Sequence, residues 1–148
     1  MKTKIREVLE AKGSQVISVR PDQTIYEAIQ TLVNHNIGAV LVMDEKNELV
    51  GIFTERDILK QCVHRSDQLK TTKVKDVMTT DLIIGLPDDD VDYLMGIMTM
   101  NKIRHVPIMH GGEVKGIVSI GDLVKFQLHD AHYENRYLKD YIMGKYPA

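Results

Sequence analysis

Two stretches of this chain carry the same polar groups in the same order. Residues 51–60 read GIFTERDILK and residues 116–125 read GIVSIGDLVK. In each, a glycine and apolar residues that suit the end of a strand run into a hydroxyl, Thr54 or Ser119, and three residues later into a carboxylate, Asp57 or Asp122. A hydroxyl at such a junction is an N-cap, so the next backbone N–H groups point out of the positive end of the helix, which suits an anion. A carboxylate on the first helical turn accepts two hydrogen bonds from a vicinal diol such as ribose. Hydroxyl, N–H dipole and carboxylate together fit a nucleotide. The same spacing also spells a capping box, which needs no ligand. What favours a pair of sites is recurrence in context, because both copies share the leading glycine, the aspartate and a later lysine, Lys60 or Lys125.

Composition removes several function classes. The 148 residues are 43% hydrophobic, enough for one domain or two small ones, and with no Trp and two Phe the core is expected to be aliphatic. A formal charge of −2 with scattered Lys and Arg lacks the footprint of a nucleic-acid binder. The single cysteine, Cys62, excludes an internal disulfide and a CxxC metal site, and is expected to be a buried structural residue. The N-terminal stretch has no signal-like apolar region and no run approaches the ~20 apolar residues of a membrane span, so no membrane association and a cytoplasmic location are expected. No phosphate loop, GxSxG, HExxH or dinucleotide fingerprint is present, and no catalytic role is expected.

The elements that position the two junctions also occur twice. A lead-in helix over residues 3–12, with Ile5, Val8 and Leu9 at helical spacing, stops at Gly13. Val16, Ile17 and Val19 form a brief strand closed by Pro21. Thr24 with Glu27 caps a helix whose buried face is Ile25, Ala28, Ile29, Leu32 and Val33. Residues 39–43 read as a strand covered on both faces, 44–47 as a tight turn, 49–53 as its hairpin partner and 55–63 as a helix. After a polar linker, KVKDVM at 73–78 matches KIREVL at 4–9, and the series begins again. Asp88, Asp89 and Asp90 precede the apolar helix positions Val91, Leu94, Met95 and Met98 and read as helix-end charges rather than as a metal site. Residues 105–109 and 114–118 form the second hairpin around Gly111 and Gly112, and residues 120–128 the closing helix. In the tail, Tyr133, Tyr137, Tyr141 and Ile142 predict a short amphipathic helix, and the HDAHYE cluster at 129–134 reads as solvated surface. The division expected is a first domain at 1–66 with its lead-in helix, a linker at 67–72, a second domain at 73–130 and a tail at 131–148.

The ordered, duplicated set with GIFTERD and GIVSIGD, together with RHVP at 104–107, resembles a tandem CBS-domain pair, the Bateman module, over about residues 4–128. LKDYIMG at 138–144 looks like the end of small bacterial stand-alone CBS-pair proteins. The resemblance implies an α/β (α+β) fold of two β-α-β-β-α repeats packed sheet to sheet with pseudo-twofold symmetry. It also implies an adenosine-containing ligand, AMP, ADP, ATP, NAD or S-adenosylmethionine, in clefts between the repeats, with no required cofactor. Asp57 and Asp122 would then hold ribose hydroxyls, with Thr54 and Ser119 near ribose or phosphate. Backbone around Ile17, Ser18 and Val19, and around residues 82–84, would meet the adenine edge. Gly38, Ala39 and the 104–107 segment with Arg104, His105 and Pro107 would line the opposite wall. Arg56, Lys102, Arg104 and His105 are the candidate phosphate partners.

Gly121 stands where Arg56 stands in the first copy, and Gly38 and Ala39 stand where Arg104 and His105 stand in the second, so the two clefts are expected to differ. Beside these roles stand plainer ones, a surface salt bridge for Arg104 and a satisfied strand residue for His105. The function implied is a nucleotide-sensing regulatory module, expected as a homodimer with an unknown protein target. A dimerisation scaffold whose junctions are only caps is the alternative.

Overall fold

The structure, a computed structural model, describes residues 2–13 and 15–128. The expectations for the tail and for the HDAHYE cluster lie outside the described residues. The elements follow in order as α1 (Ile5–Lys12), β1 (Ser18–Val19), α2 (Ile25–His35), β2 (Ala39–Met43), β3 (Leu49–Thr54) and α3 (Glu55–His64). A 3-10 turn (Val74–Asp76) then leads to α4 (Val91–Asn101), β4 (His105–His110), β5 (Glu113–Ser119) and α5 (Ile120–Leu128).

Local chemistry accounts for most boundaries. Thr24 Oγ1 accepts the Glu27 N–H at 3.2 Å and the Glu27 carboxylate accepts the Thr24 N–H, so the capping box starts α2. Asn36 ends it in the left-handed region with φ 53°, a conformation that asparagine tolerates. At the first hairpin Asp44 Oδ1 accepts the N–H groups of Lys46 and Glu48, both at 2.9 Å. Gly111 and Gly112 at the second hairpin both have positive φ, which favours glycine.

The repeat is imperfect in one instructive way. In the first copy β1 runs parallel to β2, with Leu41 donating its N–H to the Ile17 carbonyl. The equivalent of Leu41 is Pro107, which has no N–H to give. The expected strand at residues 82–84 is therefore reduced to a single bridge, Gly85 to Ile108, closed by Gly85 N–H to Pro107 O and Met109 N–H to Gly85 O. The second sheet has two strands where the first has three.

Sequence order groups α1 with the first repeat, but packing places it with the second. Ile5, Val8 and Leu9 are buried with Val91, Leu94, Met98, Val106, Ile108, Val118 and Leu123. Reciprocally, Val74, Val77 and Met78 pack into the core of α2, β2 and β3. Each repeat thus holds the other's lead-in. Two of the acidic triplet belong to this exchange, because Asp90 accepts from Lys4 at 2.7 Å and Asp88 pairs with Arg6, whereas the Asp89 carboxylate accepts the local Leu86 N–H at 2.8 Å. Asp90 is the N-cap residue of α4 yet makes no side-chain cap bond, so its carboxylate clasps α1 instead.

The two sheets meet face to face. Alternation along β2 sends Val40 and Val42 toward α2 and Ala39 and Leu41 the other way. There Leu41 and Ile52 form a third buried cluster against which Val114 and Ile117 of β5 pack. Two mixed α/β repeats packed through their sheets are the observed architecture. Cys62 is exposed on α3, not buried as its apolar surroundings in sequence suggest, because its helix presents Asp57 and Ile58 to the fold and Leu59 and Val63 to the outside.

Candidate functional site

Two clefts lie between the repeats, one beside each junction. The first, of about 680 Å³, is lined by Thr54, Arg56 and Asp57 where β3 enters α3, and by Lys60 one turn further on. Its other wall is the α4–β4 connection, Lys102 to His105, with Ser119 and Gly121 from the second junction. The second cleft, about 390 Å³, is lined by Ser119 and Asp122, by Ile17, Gly38 and Ala39 opposite, and by Lys12, His35 and His105.

Each junction is built as a capping box. Thr54 Oγ1 accepts the Asp57 N–H at 3.3 Å, and Asp57 Oδ2 accepts the Thr54 N–H at 3.0 Å. Asp57 is 7% exposed, and its second oxygen accepts the Thr79 hydroxyl at 3.3 Å. Ser119 Oγ accepts the Asp122 N–H at 3.0 Å, and Asp122 Oδ2 accepts the Ser119 N–H at 2.8 Å. The same oxygen of Asp122 accepts the Lys12 ammonium at 2.6 Å. Burial pushes the Asp122 carboxyl upward, but the Lys12 hydrogen bond, the Ser119 N–H and the Lys12 charge outweigh it and hold the group below its usual range.

The helix-end donors are more fully used than the sequence implies. Glu55 N–H donates to the Gly38 carbonyl at 3.0 Å and Ile120 N–H to the Arg104 carbonyl at 2.8 Å, while the N–H groups of Asp57 and Asp122 are taken by the caps. Side-chain cations carry the positive charge instead. In the first cleft Arg56, Lys60, Lys102 and Arg104 stand against Glu55 and Asp57, four cations to two carboxylates. In the second, Lys12 stands against Asp122, one to one. Arg56 is steadied across the cleft by the Lys102 carbonyl, 3.0 Å from Nη1.

His105 lines both clefts. Burial lowers its pKa below the ordinary imidazole value, the charges of Glu55 and Asp122 oppose that only in part, and Arg104 and Lys12 add to it. Gly38 makes room for this arrangement. A Cβ there would stand 3.1 Å from two atoms of the His105 ring and would overlap the Glu55 carboxylate.

Of the residues singled out in sequence, Gly38, Thr54, Arg56, Asp57, Lys102, Arg104, His105 and Ser119 converge on the first cleft. Ile17, Gly38, Ala39, His105, Ser119 and Asp122 converge on the second. Ser18, Val19, Pro107 and the 82–84 segment line neither. Ser18 is exposed, Val19 is buried toward α2, and Pro107 is buried within β4. Several polar lining residues were not singled out in sequence, among them Glu55, Lys60, Thr79, Lys12 and His35. Lys60 had a signal in the lysine shared by both junction copies and Glu55 adjoins Thr54 within the first junction, whereas Thr79 and Lys12 reach their clefts only through tertiary packing. Among the described residues no group of three His, Cys, Asp or Glu could hold a metal, and no helix is long and apolar enough to cross a membrane.

Comparison with known proteins agrees with this architecture. The CBS domain family profile matches twice, at residues 5–64 and 74–129. A CBS domain-containing protein of Arabidopsis thaliana, CBSX3, mitochondrial, is 37% identical over 97% of this chain and 74% of its own length. The crystal structure of the CBS-domain containing protein ATU1752 from Agrobacterium tumefaciens superposes with a TM-score of 0.82 at 40% identity, covering 86% of this chain and 95% of that one. The CBS domain pair of protein MJ0100, solved in complex with 5'-methylthioadenosine and S-adenosyl-L-methionine, has a TM-score of 0.75 at 27% identity, covering 86% of this chain and 97% of that one. With both repeats matched and the paired architecture shared, the chain belongs to the CBS-domain family, as a tandem CBS pair.

Proposed function

We propose that this chain is a regulatory module that binds an adenosine nucleotide of the AMP, ADP, ATP or NAD type between its repeats. The first cleft carries the reading, because it sets a buried ribose-type acceptor, Asp57, beside four cations drawn from both repeats. A ribose diol can donate to Asp57 in place of the Thr79 hydroxyl, and phosphates reach Arg56, Lys60, Lys102 and Arg104. The adenosine compounds held by MJ0100 support the ligand class. A ligand that touches both walls binds one relative placement of the repeats better than another and shifts the population by that difference in affinity. The role is regulatory rather than catalytic, and its output is a change of shape read by a protein target.

A second copy of the chain is the proposed neighbour. Val33 on α2, Leu59 and Val63 on α3, and Met100 on α4 are 71%, 68%, 80% and 81% exposed, apolar side chains on three helices that a homodimer would cover. Sedimentation at rising concentration checks it. Nucleotide binding is tested by thermal unfolding with and without millimolar AMP, ATP or NAD, since binding to the folded state alone adds RT ln(1 + [L]/Kd). The expected result is a rise in Tm that Asp57→Ala removes. No rise with any adenine nucleotide would leave both junctions as helix caps and favour the scaffold reading.

A further inference from the structure

The two repeats meet the same local need with different groups. At the first junction Thr79, from the lead-in of the second repeat, donates its N–H to the Ile52 carbonyl at 2.9 Å and its hydroxyl to Asp57. At the second, α1 continues to Lys12, whose ammonium donates to the Ile117 carbonyl at 2.7 Å and to Asp122 at 2.6 Å. Ile52 and Ile117 occupy corresponding places, each two residues before the capping hydroxyl. One amine therefore does what a backbone N–H and a hydroxyl do in the other half, and it brings a full positive charge.

That difference decides what each carboxylate can accept. Around Asp57 the donors are neutral, so a ribose diol exchanges one hydroxyl bond for another. At Asp122 the ammonium shares Oδ2 with the Ser119 N–H, so a diol that bonds both carboxylate oxygens has to displace an ammonium held by a charge-assisted hydrogen bond, roughly twice as strong as a neutral one. The second cleft is also the smaller of the two, and Lys12 is its one lysine or arginine lining residue, already committed to the carboxylate.

We propose that Lys12 is a specificity-determining residue that keeps ribose out of the second cleft and holds the chain to one nucleotide, bound in the first. This inference rests on the nucleotide reading of the first cleft. The retained lysine is a built-in occupant of the position that the sequence assigns to a second ribose.

The test is isothermal titration into the full chain of ATP and, for the second cleft, of adenosine, whose ribose needs no cation. Wild type is expected to bind one ATP per chain, lost in Asp57→Ala. Lys12→Gln keeps a neutral donor for the Ile117 carbonyl and removes the charge, while Lys12→Met removes both. Each is expected to bind a second ligand, read with adenosine because the cleft then has no lysine or arginine for phosphate, at least about tenfold more tightly than any second event in wild type, the size of one charge-assisted hydrogen bond. Combining Lys12→Gln with Asp122→Ala should abolish that second event. Two equal sites in wild type, a stoichiometry still at one in both Lys12 variants, or a second event indifferent to Asp122→Ala would each overturn the role of Lys12 alone. Loss of the folded circular-dichroism signal in both Lys12 variants would make the amine a structural staple and overturn it too. No binding by wild type or any variant would instead refute the nucleotide reading, and this inference with it.

Discussion

If α1 is built into the second repeat, Leu9 and Gly116 are coupled despite lying more than a hundred residues apart in sequence. A Cβ at Gly116 would stand 2.8 Å from Leu9 Cδ2, with the other Leu9 atoms near it at 3.7 and 3.8 Å. Leu9 is 7% exposed within the second core and has only limited room to retreat. Gly116→Ala is therefore expected to cost about 1–3 kcal/mol by overpacking. Leu9→Ala removes a buried side chain and is expected to cost about 2–5 kcal/mol. In the double variant the new methyl enters the space that leucine vacated, so the overpacking disappears and part of the cavity is filled. The summed single costs should then exceed the double cost by about 1–2 kcal/mol. Urea unfolding of the four proteins, followed by circular dichroism, measures the cycle. Additivity within about 0.5 kcal/mol would refute the placement of α1 on the second repeat.

Two further predictions concern charge. Arg104→Ala should weaken ATP binding by about tenfold or more, with a smaller effect on adenosine, and the difference should shrink at high salt; equal losses for both ligands by titration calorimetry would remove Arg104 from the phosphate end. His105, facing Glu55, Asp122, Arg104 and Lys12, has a folded pKa below its reference value of 6.5. The unfolded chain therefore takes up that proton first, so His105 costs no stability above pH 6.5 and destabilises progressively as pH falls through 6.5 toward the folded value. His105→Gln should flatten the dependence of urea midpoint on pH in that window, by up to about 1.4 kcal/mol per pH unit. An unchanged slope would refute the assignment. Asp122 acts lower, because its depressed folded pKa contributes stability above the reference value of 3.8 that is lost as pH falls through the folded value.

The sequence alone determined the duplicated series of elements, the two capping junctions and the expectation that the clefts differ. These are local properties. A capping box, a hairpin turn and the period of an apolar face each depend on residues a few positions apart, and the glycine that replaces Arg56 in the second copy is visible by alignment of the chain with itself. Even the shortened second sheet has its cause written at Pro107, although the missing N–H matters only once β4 has a parallel neighbour. Tertiary structure alone decided which repeat each lead-in joins, that Asp88 and Asp90 clasp α1, and that Thr79 faces Asp57 while Lys12 faces Asp122. Those facts link residues tens of positions apart or more, and a lysine at the end of an amphipathic helix carries no local mark of the carboxylate it will meet. Spacing specifies a helix end; only the packing of one repeat on the other specifies what stands in front of it.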